Sequence, residues 1–279
     1  MALREAGFAS KLIAWDHDPG VLQQGLSLAV IDAAADSVSD LMGQVDIAVL
    51  ATPTLISESL LLNMLENPGS ARCVTDVASV KGALCRAVKS LAPEHAALYV
   101  PGHPIAGSEL SGVASAQPAL FRHHRIILTP DTATDAQALE LASALWASCG
   151  ASVEQMGVEE HDAVLAATSH LPHVLAYALV DALAKSPIRD NIFRFAAGGF
   201  RDFTRIASSD PVMWRDIALT NKEALLAAMD DFSGHLDTLR RAIASGDSPA
   251  LEATFRSAKQ ARDEFARDLE QRGREGADR

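Results

Sequence analysis

No membrane span, which takes roughly 18 uncharged apolar residues, is expected from the sequence. Its first residues, Met1-Ala-Leu-Arg-Glu-Ala-Gly7, include no apolar h-region, so no secretory signal is expected. Cysteine is scarce. Cys73, Cys85 and Cys149 are odd in number and widely spaced, which excludes a zinc knuckle and a disulfide framework and fits a reducing cytoplasm. Positive charge is outnumbered, with 24 Lys and Arg against 36 Asp and Glu and a net charge of −12. That balance argues against non-specific nucleic-acid binding. There are no internal repeats and no H-E-x-x-H zinc motif. What remains is 279 residues, 48% hydrophobic and 22% charged, an ordinary globular composition of about two domains by length.

The two halves have different periodicity. Up to residue 156, short apolar runs alternate with helical patterns. The runs are Lys11–Trp15, Asp46–Ala51, Arg72–Asp76, Ala97–Val100 and Arg125–Leu128, with a sixth at Ala151–Glu154. Helix-like segments fall between them at Ser57–Asn67, Val80–Ser90 and Thr134–Ser148. This alternation predicts an α/β domain over 1–156, a Rossmann-like parallel sheet buried on both faces. From Val158 on, strand patterns vanish. Val164, Leu165, Thr168, Leu171, Leu175 and Leu179 share one helical face. Asp210-Pro211 opens a further helix, with Asp210 as N-cap, and Ser248-Pro249 opens the last, with Phe255, Phe265 and Leu269 facing inward. Residues 157–279 therefore read as an all-helical domain.

A parallel sheet binds ligands beyond the carboxyl ends of its strands. Asp16, at the end of the first run, stands where such folds place a carboxylate for a ribose; the bland reading is a turn with Asp18-Pro19. The glycine-rich phosphate loop that should come before it, G-x-G-x-x-G, occurs nowhere in the sequence. Residues 2–7 read as the end of the helix that follows such a loop. Taken literally, the chain lacks the first strand, the loop and most of the first helix, which would interrupt the sheet at its centre and remove the pyrophosphate site. The expectation is a start assigned too far downstream or a shortened chain. The alternative is a protein that does not bind NAD in the usual way.

Four segments carry candidate chemistry. Gly102-His103-Pro104 begins a loop rich in glycine and proline after a strand, which puts an imidazole at the ligand edge of the sheet. Ser79, in Asp76-Val-Ala-Ser79-Val-Lys81, could hold such a ring in one tautomer or simply cap the next helix. His170 and His173, in Ser169-His-Leu-Pro-His173, share a helix face. Pro172 lies within that helical pattern, at a cost of about 3 kcal/mol or more, and frees the Thr168 carbonyl. The bland reading is a kinked contact between helices. In Gly198-Gly-Phe-Arg201-Asp202-Phe-Thr-Arg205, two arginines beside flexible backbone suggest an anion site, or else a solvated face with Asp202 paired to one of them.

Together these segments resemble the prephenate dehydrogenase family of tyrosine biosynthesis, which includes arogenate and cyclohexadienyl dehydrogenases. The matching stretches are Val49–Pro53, Thr75–Gly82, Pro101–Glu109, Ser169–His173, Gly198–Ala207 and Ser209–Trp214, in family order. The resemblance implies an NAD-binding domain followed by a helical domain that forms a homodimer. It implies NAD-dependent oxidative decarboxylation of prephenate to 4-hydroxyphenylpyruvate, with arogenate to tyrosine as a further activity. By motif, His103 takes the base role, and Ser79 orients it near the nicotinamide. Arg205 binds a substrate carboxylate, and His170 and His173 line the pocket. Trp214 packs behind Arg205, and Asp16, Thr52 and Pro53 contact the cofactor. No metal is implied. Two other readings stay open: a catalytically silent dimerisation relative that lost the cofactor site, and a β-hydroxyacid dehydrogenase. The latter family relies on a lysine in the helical domain, where this chain has Ser-His-Leu-Pro-His.

Overall fold

The computed structural model describes residues 1–107 and 112–277; Ser108 and Glu109 of the glycine-proline motif lie outside them. The strands are β1 (Ile13–Ala14), β2 (Ala33–Ala34), β3 (Ile47–Leu50), β4 (Cys73–Asp76), β5 (Tyr99–Val100), β6 (Gly102–Pro104), β7 (Arg125–Leu128) and β8 (Ser152–Gln155). Helices α1 (Ala2–Glu5), α2 (Pro19–Ser27), α3 (Val38–Met42), α4 (Thr54–Glu66), α5 (Gly82–Val88), α6 (Pro93–Ala96) and α7 (Ala136–Ser148) fall among them. Then come α8 (Val158–Leu165), α9 (Leu171–Ala184), α10 (Arg189–Arg194), α11 (Gly198–Thr204), α12 (Pro211–Thr220), α13 (Lys222–Ser245) and α14 (Ser248–Ala277). Strands give way to helices at residue 158. The chain divides into compact units elsewhere, between Leu225 and Leu226.

Parallel ladders join β1 to β2, β3 to β4 to β5, and β7 to β8. Among the described residues no ladder joins β1–β2 to β3–β4–β5. Side chains on β4 alternate between two cores. Val74 packs with Leu50, Leu61, Met64 and Tyr99, while Cys73 packs with Val100, Ile126, Leu145 and Trp146. All four β4 residues are buried, as expected for a strand covered on both faces.

Two strands were not legible as such. Ala33–Ala34 is too short to pattern. Gly102–Pro104, expected as loop, is strand β6, antiparallel to β7 with His103 opposite Ile127. Glycine and proline disguise it, and its pairing comes entirely from β7. His103 thus stands on a sheet rather than a flexible loop.

Pro172 is accommodated without a break. Ala166–His170 forms a π-helical turn, and α9 resumes with Pro172 in its first turn. The widened turn absorbs the missing N–H, and such turns recur at functional sites. The continuous helix Val158–Ala184, 27 residues with a mean hydropathy of 1.4, is long and apolar enough to cross a membrane by length and composition, contrary to expectation. Its buried His161, Asp162 and His170 instead join a polar network within the first unit.

Asp210 caps α12 as the sequence predicts, accepting from the amides of Val212 and Met213 at 2.8 Å. Farther on, Phe255, Phe265 and Leu269 are exposed rather than inward-facing, and Leu236 and Ile243 of α13 are exposed as well. A 3.6-residue apolar period defines a face but not what covers it.

Candidate active site

The site is built where β4, α5 and β6 meet α8. Asp76, at the end of β4, is buried and accepts from the Ala78 amide at 2.8 Å and the Tyr99 hydroxyl at 2.7 Å. Lys81 is completely buried; its Nζ pairs with Asp76 and donates to the Gly102 carbonyl at 2.7 Å. One buried ion pair thereby ties the end of β4 to the residue before His103. Gly102 must be glycine here, because a Cβ would stand 2.9 Å from the Asp76 carbonyl oxygen.

His103 is 8% exposed. Its Nδ1 lies 2.9 Å from Nε2 of His161, and Nδ1 of His161 lies 2.8 Å from Oδ1 of Asp162. Asp162 also accepts from the amides of Lys81 and Gly82, at 3.0 and 2.8 Å. The helical half thus caps a helix of the sheet half. A Cβ at Gly82 would meet the Asp162 carboxylate at 2.7 Å. Burial tends to raise the Asp162 pKa, but donation from His161 and the two amides outweighs it, and the group is held below the usual carboxylate range. Burial pushes His103 down to about 2, reinforced by the Lys81 charge, His161 and His170, with Asp162 opposing. His103 is therefore neutral at physiological pH.

Asn221 extends the cluster from the junction of α12 and α13. Its side-chain amide donates to the Asp162 carbonyl at 2.9 Å and lies 3.0 Å from Nδ1 of His170. Because the Asp162 carbonyl can only accept, the Asn221 NH₂ faces His170, whose proton then resides on Nε2. Burial brings His170 down to about 4, against the opposing charge of Asp162. Trp214 meets His170 edge-on with ring centres 6.1 Å apart, and stacks on His173 at 3.5 Å and 18°. Nδ1 of His173 donates to the Ser169 carbonyl at 2.9 Å. Burial lowers the His173 pKa, helped by the charge of Arg205. The indole N–H of Trp214 is buried with no partner among the described residues.

Arg205 follows α11 in a short 3-10 turn and is exposed. It is Arg201 that pairs with Asp202, at 3.2 Å. Ser79 is half-buried and, among the described residues, makes no side-chain hydrogen bond; Nδ1 of His103 belongs to His161 instead. Nor does Ser79 cap α5, which starts at Gly82 with Lys81 before it. The sequence reading overlooked His161, Asp162, Lys81 and Asn221. His161-Asp162 is an unremarkable pair on a helix, and only its packing against β6 reveals it.

Asp16, Thr52 and Pro53 lie just past the carboxyl ends of β1 and β3. Asp16 accepts from the Asp18 amide at 2.8 Å and lies 3.0 Å from Nδ1 of the exposed His17. Asp18 in turn caps α2. Oγ of Thr52 lies 2.9 Å from Oγ of Ser57, and Pro53 opens α4 without a side-chain cap. These positions fit a nucleotide laid across the strand ends, with a carboxylate available to ribose hydroxyls. The sequence offers no G-x-G-x-x-G cradle for the phosphates.

Residues 1–155 match the family model "Prephenate dehydrogenase, nucleotide-binding domain", and residues 157–257 match "Prephenate dehydrogenase, dimerization domain". The chain belongs to the prephenate dehydrogenase family. It is 37% identical over 270 residues to a prephenate dehydrogenase of Bacillus subtilis, covering 94% of this chain and 71% of that one. It is 36% identical over 250 residues to a cyclohexadienyl dehydrogenase of Zymomonas mobilis, covering 89% and 85%. The solved prephenate dehydrogenase of Aquifex aeolicus, in complex with hydroxyphenyl propionate and NAD+, superposes with a TM-score of 0.87 at 36% identity, covering 95% and 92%. The chain is accordingly an oxidoreductase of this family, and the polar network described above joins its two halves.

Proposed function

We propose that this dehydrogenase oxidises prephenate to 4-hydroxyphenylpyruvate and CO₂ with NAD, acting in the cytoplasm as a homodimer. The observation that carries this reading is the run of contacts from buried, neutral His103 through His161, Asp162 and Asn221 to His170, Trp214 and His173. It joins a base on the nucleotide-binding half to a ring-lined, arginine-flanked region on the helical half. Similarity to a cyclohexadienyl dehydrogenase supports arogenate as a second substrate of this chain.

When bound, NAD accepts the hydride from the carbon that bears the substrate hydroxyl. Asp16, Thr52, Pro53 and Ser79, all past strand ends, are the residues that hold it. His103 takes the hydroxyl proton as the ketone develops. Arg205 grips a substrate carboxylate through paired hydrogen bonds. His170 and the unpartnered Trp214 N–H offer donors to substrate oxygens. His173, with its proton committed to the Ser169 carbonyl, presents a lone pair at Nε2 while neutral. A carboxylate contact there needs a second proton, which the carboxylate itself favours. Loss of CO₂ restores aromaticity and makes the step irreversible.

The exposed apolar faces of α13 and α14, with Val164 and Leu179 on the long helix, are surfaces for a second copy to cover. Val164, Leu179, the α13 face and the start of α14 fall within the dimerization-domain match, which supports the homodimer.

Arg205→Gln tests the substrate assignment. It raises KM for prephenate about 10- to 100-fold, the effect of removing hydrogen bonds to a charged group, with a smaller change in kcat. Steady-state kinetics of the variant check this, and an unchanged KM would place the carboxylate elsewhere.

A further inference from the structure

With one proton on each imidazole, the hydrogen-bonded file His103–His161–Asp162 has one consistent arrangement. The Asp162 carboxylate, held in its ionised form by His161 and the Lys81 and Gly82 amides, can only accept. The single proton of His161 therefore sits on Nδ1, toward the carboxylate, and its Nε2 presents a lone pair. Nδ1 of His103 must then be the donor across the 2.9 Å contact. The only site left for the His103 lone pair is Nε2, the nitrogen outside the file.

We propose that His161 and Asp162 are a positioning pair for the base: they lock His103 in the tautomer that leaves Nε2 free to accept the substrate proton, and they offset the charge that His103 then acquires. This rests on the reading of His103 as the base. The site otherwise opposes such a charge. The Lys81 ammonium and the rings of His161 and His170 all disfavour it. Among the described residues, Asp162 is the anionic group that favours a charge on His103. As Nε2 gains the hydroxyl proton, the Nδ1 proton of His103 shifts toward Nε2 of His161. The positive charge then spreads toward an imidazole already paired with a carboxylate. No proton leaves the file, and the base is restored once the proton on Nε2 passes to solvent.

The arrangement also explains why two segments 80 residues apart are bound so closely. The carboxylate that orients His161 also holds the amides at the start of α5, next to Lys81, whose ammonium fixes Gly102. The orientation of the base and the junction of the two halves thus share one residue.

The test is a double-mutant comparison of His161→Phe, His161→Gln, His103→Asn and His161→Phe/His103→Asn. His161→Phe lowers kcat about 10²-fold or more, leaves KM for prephenate within about threefold, and moves the pH profile. His161→Gln, whose amide oxygen can still accept from Nδ1 of His103, recovers a good part of kcat. In the His103→Asn background, His161→Phe costs nothing further, because its effect passes through His103. Nitrogen-15 spectra of the protein without substrate show His103 protonated at Nδ1 in the wild type and at Nε2 in His161→Phe. Losses that multiply in the double variant, or an Nε2 proton on His103 in the wild type, overturn the proposal. If His103→Asn lowers kcat and His161→Phe does not, the positioning pair fails while the base stands. If His103→Asn has no effect, both fall.

Discussion

His103→Asn lowers kcat about 10²–10⁴-fold, the usual cost of losing a positioned acid–base group, and leaves KM for prephenate nearly unchanged. Asparagine keeps a polar group of similar reach in β6, so the pairing with β7 survives. What it lacks is a basic nitrogen. The pH dependence follows from the same geometry. The folded pKa of His103 is depressed to about 2, chiefly by burial and next by Lys81. The free enzyme thus keeps its base unprotonated through the range in which an ordinary histidine titrates, and the acid limb of kcat/KM from His103 falls well below pH 6.5. Burying a histidine in its neutral form also carries a sign for stability. Below the unfolded value near 6.5 the unfolded chain binds a proton that the folded chain refuses, so His103 costs stability increasingly as pH falls from there toward 2. Steady-state kinetics from pH 5 to 9 check the first claim, and an unchanged kcat in the variant would remove His103 from the chemistry.

Lys81→Met has the second large effect, on stability and on the base together. A buried ion pair is weak evidence of net stabilisation, because desolvation offsets much of the attraction. Breaking one from a single side is different. Methionine fills much of the lysine volume but leaves the Asp76 carboxylate buried with only the Tyr99 hydroxyl and backbone amides. The expected loss is about 3–5 kcal/mol, read as a lower unfolding midpoint in urea. Asp76→Asn/Lys81→Met recovers part of it, since no lone charge then remains. The same substitution removes the cation that resists protonation of His103, so the acid limb of the pH profile moves upward. An unchanged midpoint would mean that the pair contributes nothing to holding β4 against β6.

The β3–β4–β5 sheet was legible because its strands are continuous apolar runs, the mark of burial on both faces. Asp210-Pro211 was legible because a cap and a first-turn proline are local chemistry. Strand β6 was not, since neither Gly102 nor Pro104 favours a strand and the partner lies more than 20 residues away. The same limit applied to the site. His103, His170, His173 and Arg205 stand out beside glycine, proline or one another. His161 acquires meaning only from contact with a residue 58 positions earlier and Asp162 from residues 80 and 81 positions earlier, and no periodicity encodes that. Ser79 shows the converse: its place in a motif suggested a bond to His103 that the structure gives to His161. The apolar face of α14 was legible as a stripe, but a period does not say what covers it, and the single chain leaves it exposed.

The most direct measurement is NADH formation by the purified full-length protein with NAD and prephenate, read at 340 nm, with 4-hydroxyphenylpyruvate identified as product. Turnover that collapses in His103→Asn is the predicted result. Folded protein that turns over neither prephenate nor arogenate, or that turns over prephenate equally well without His103, would contradict it.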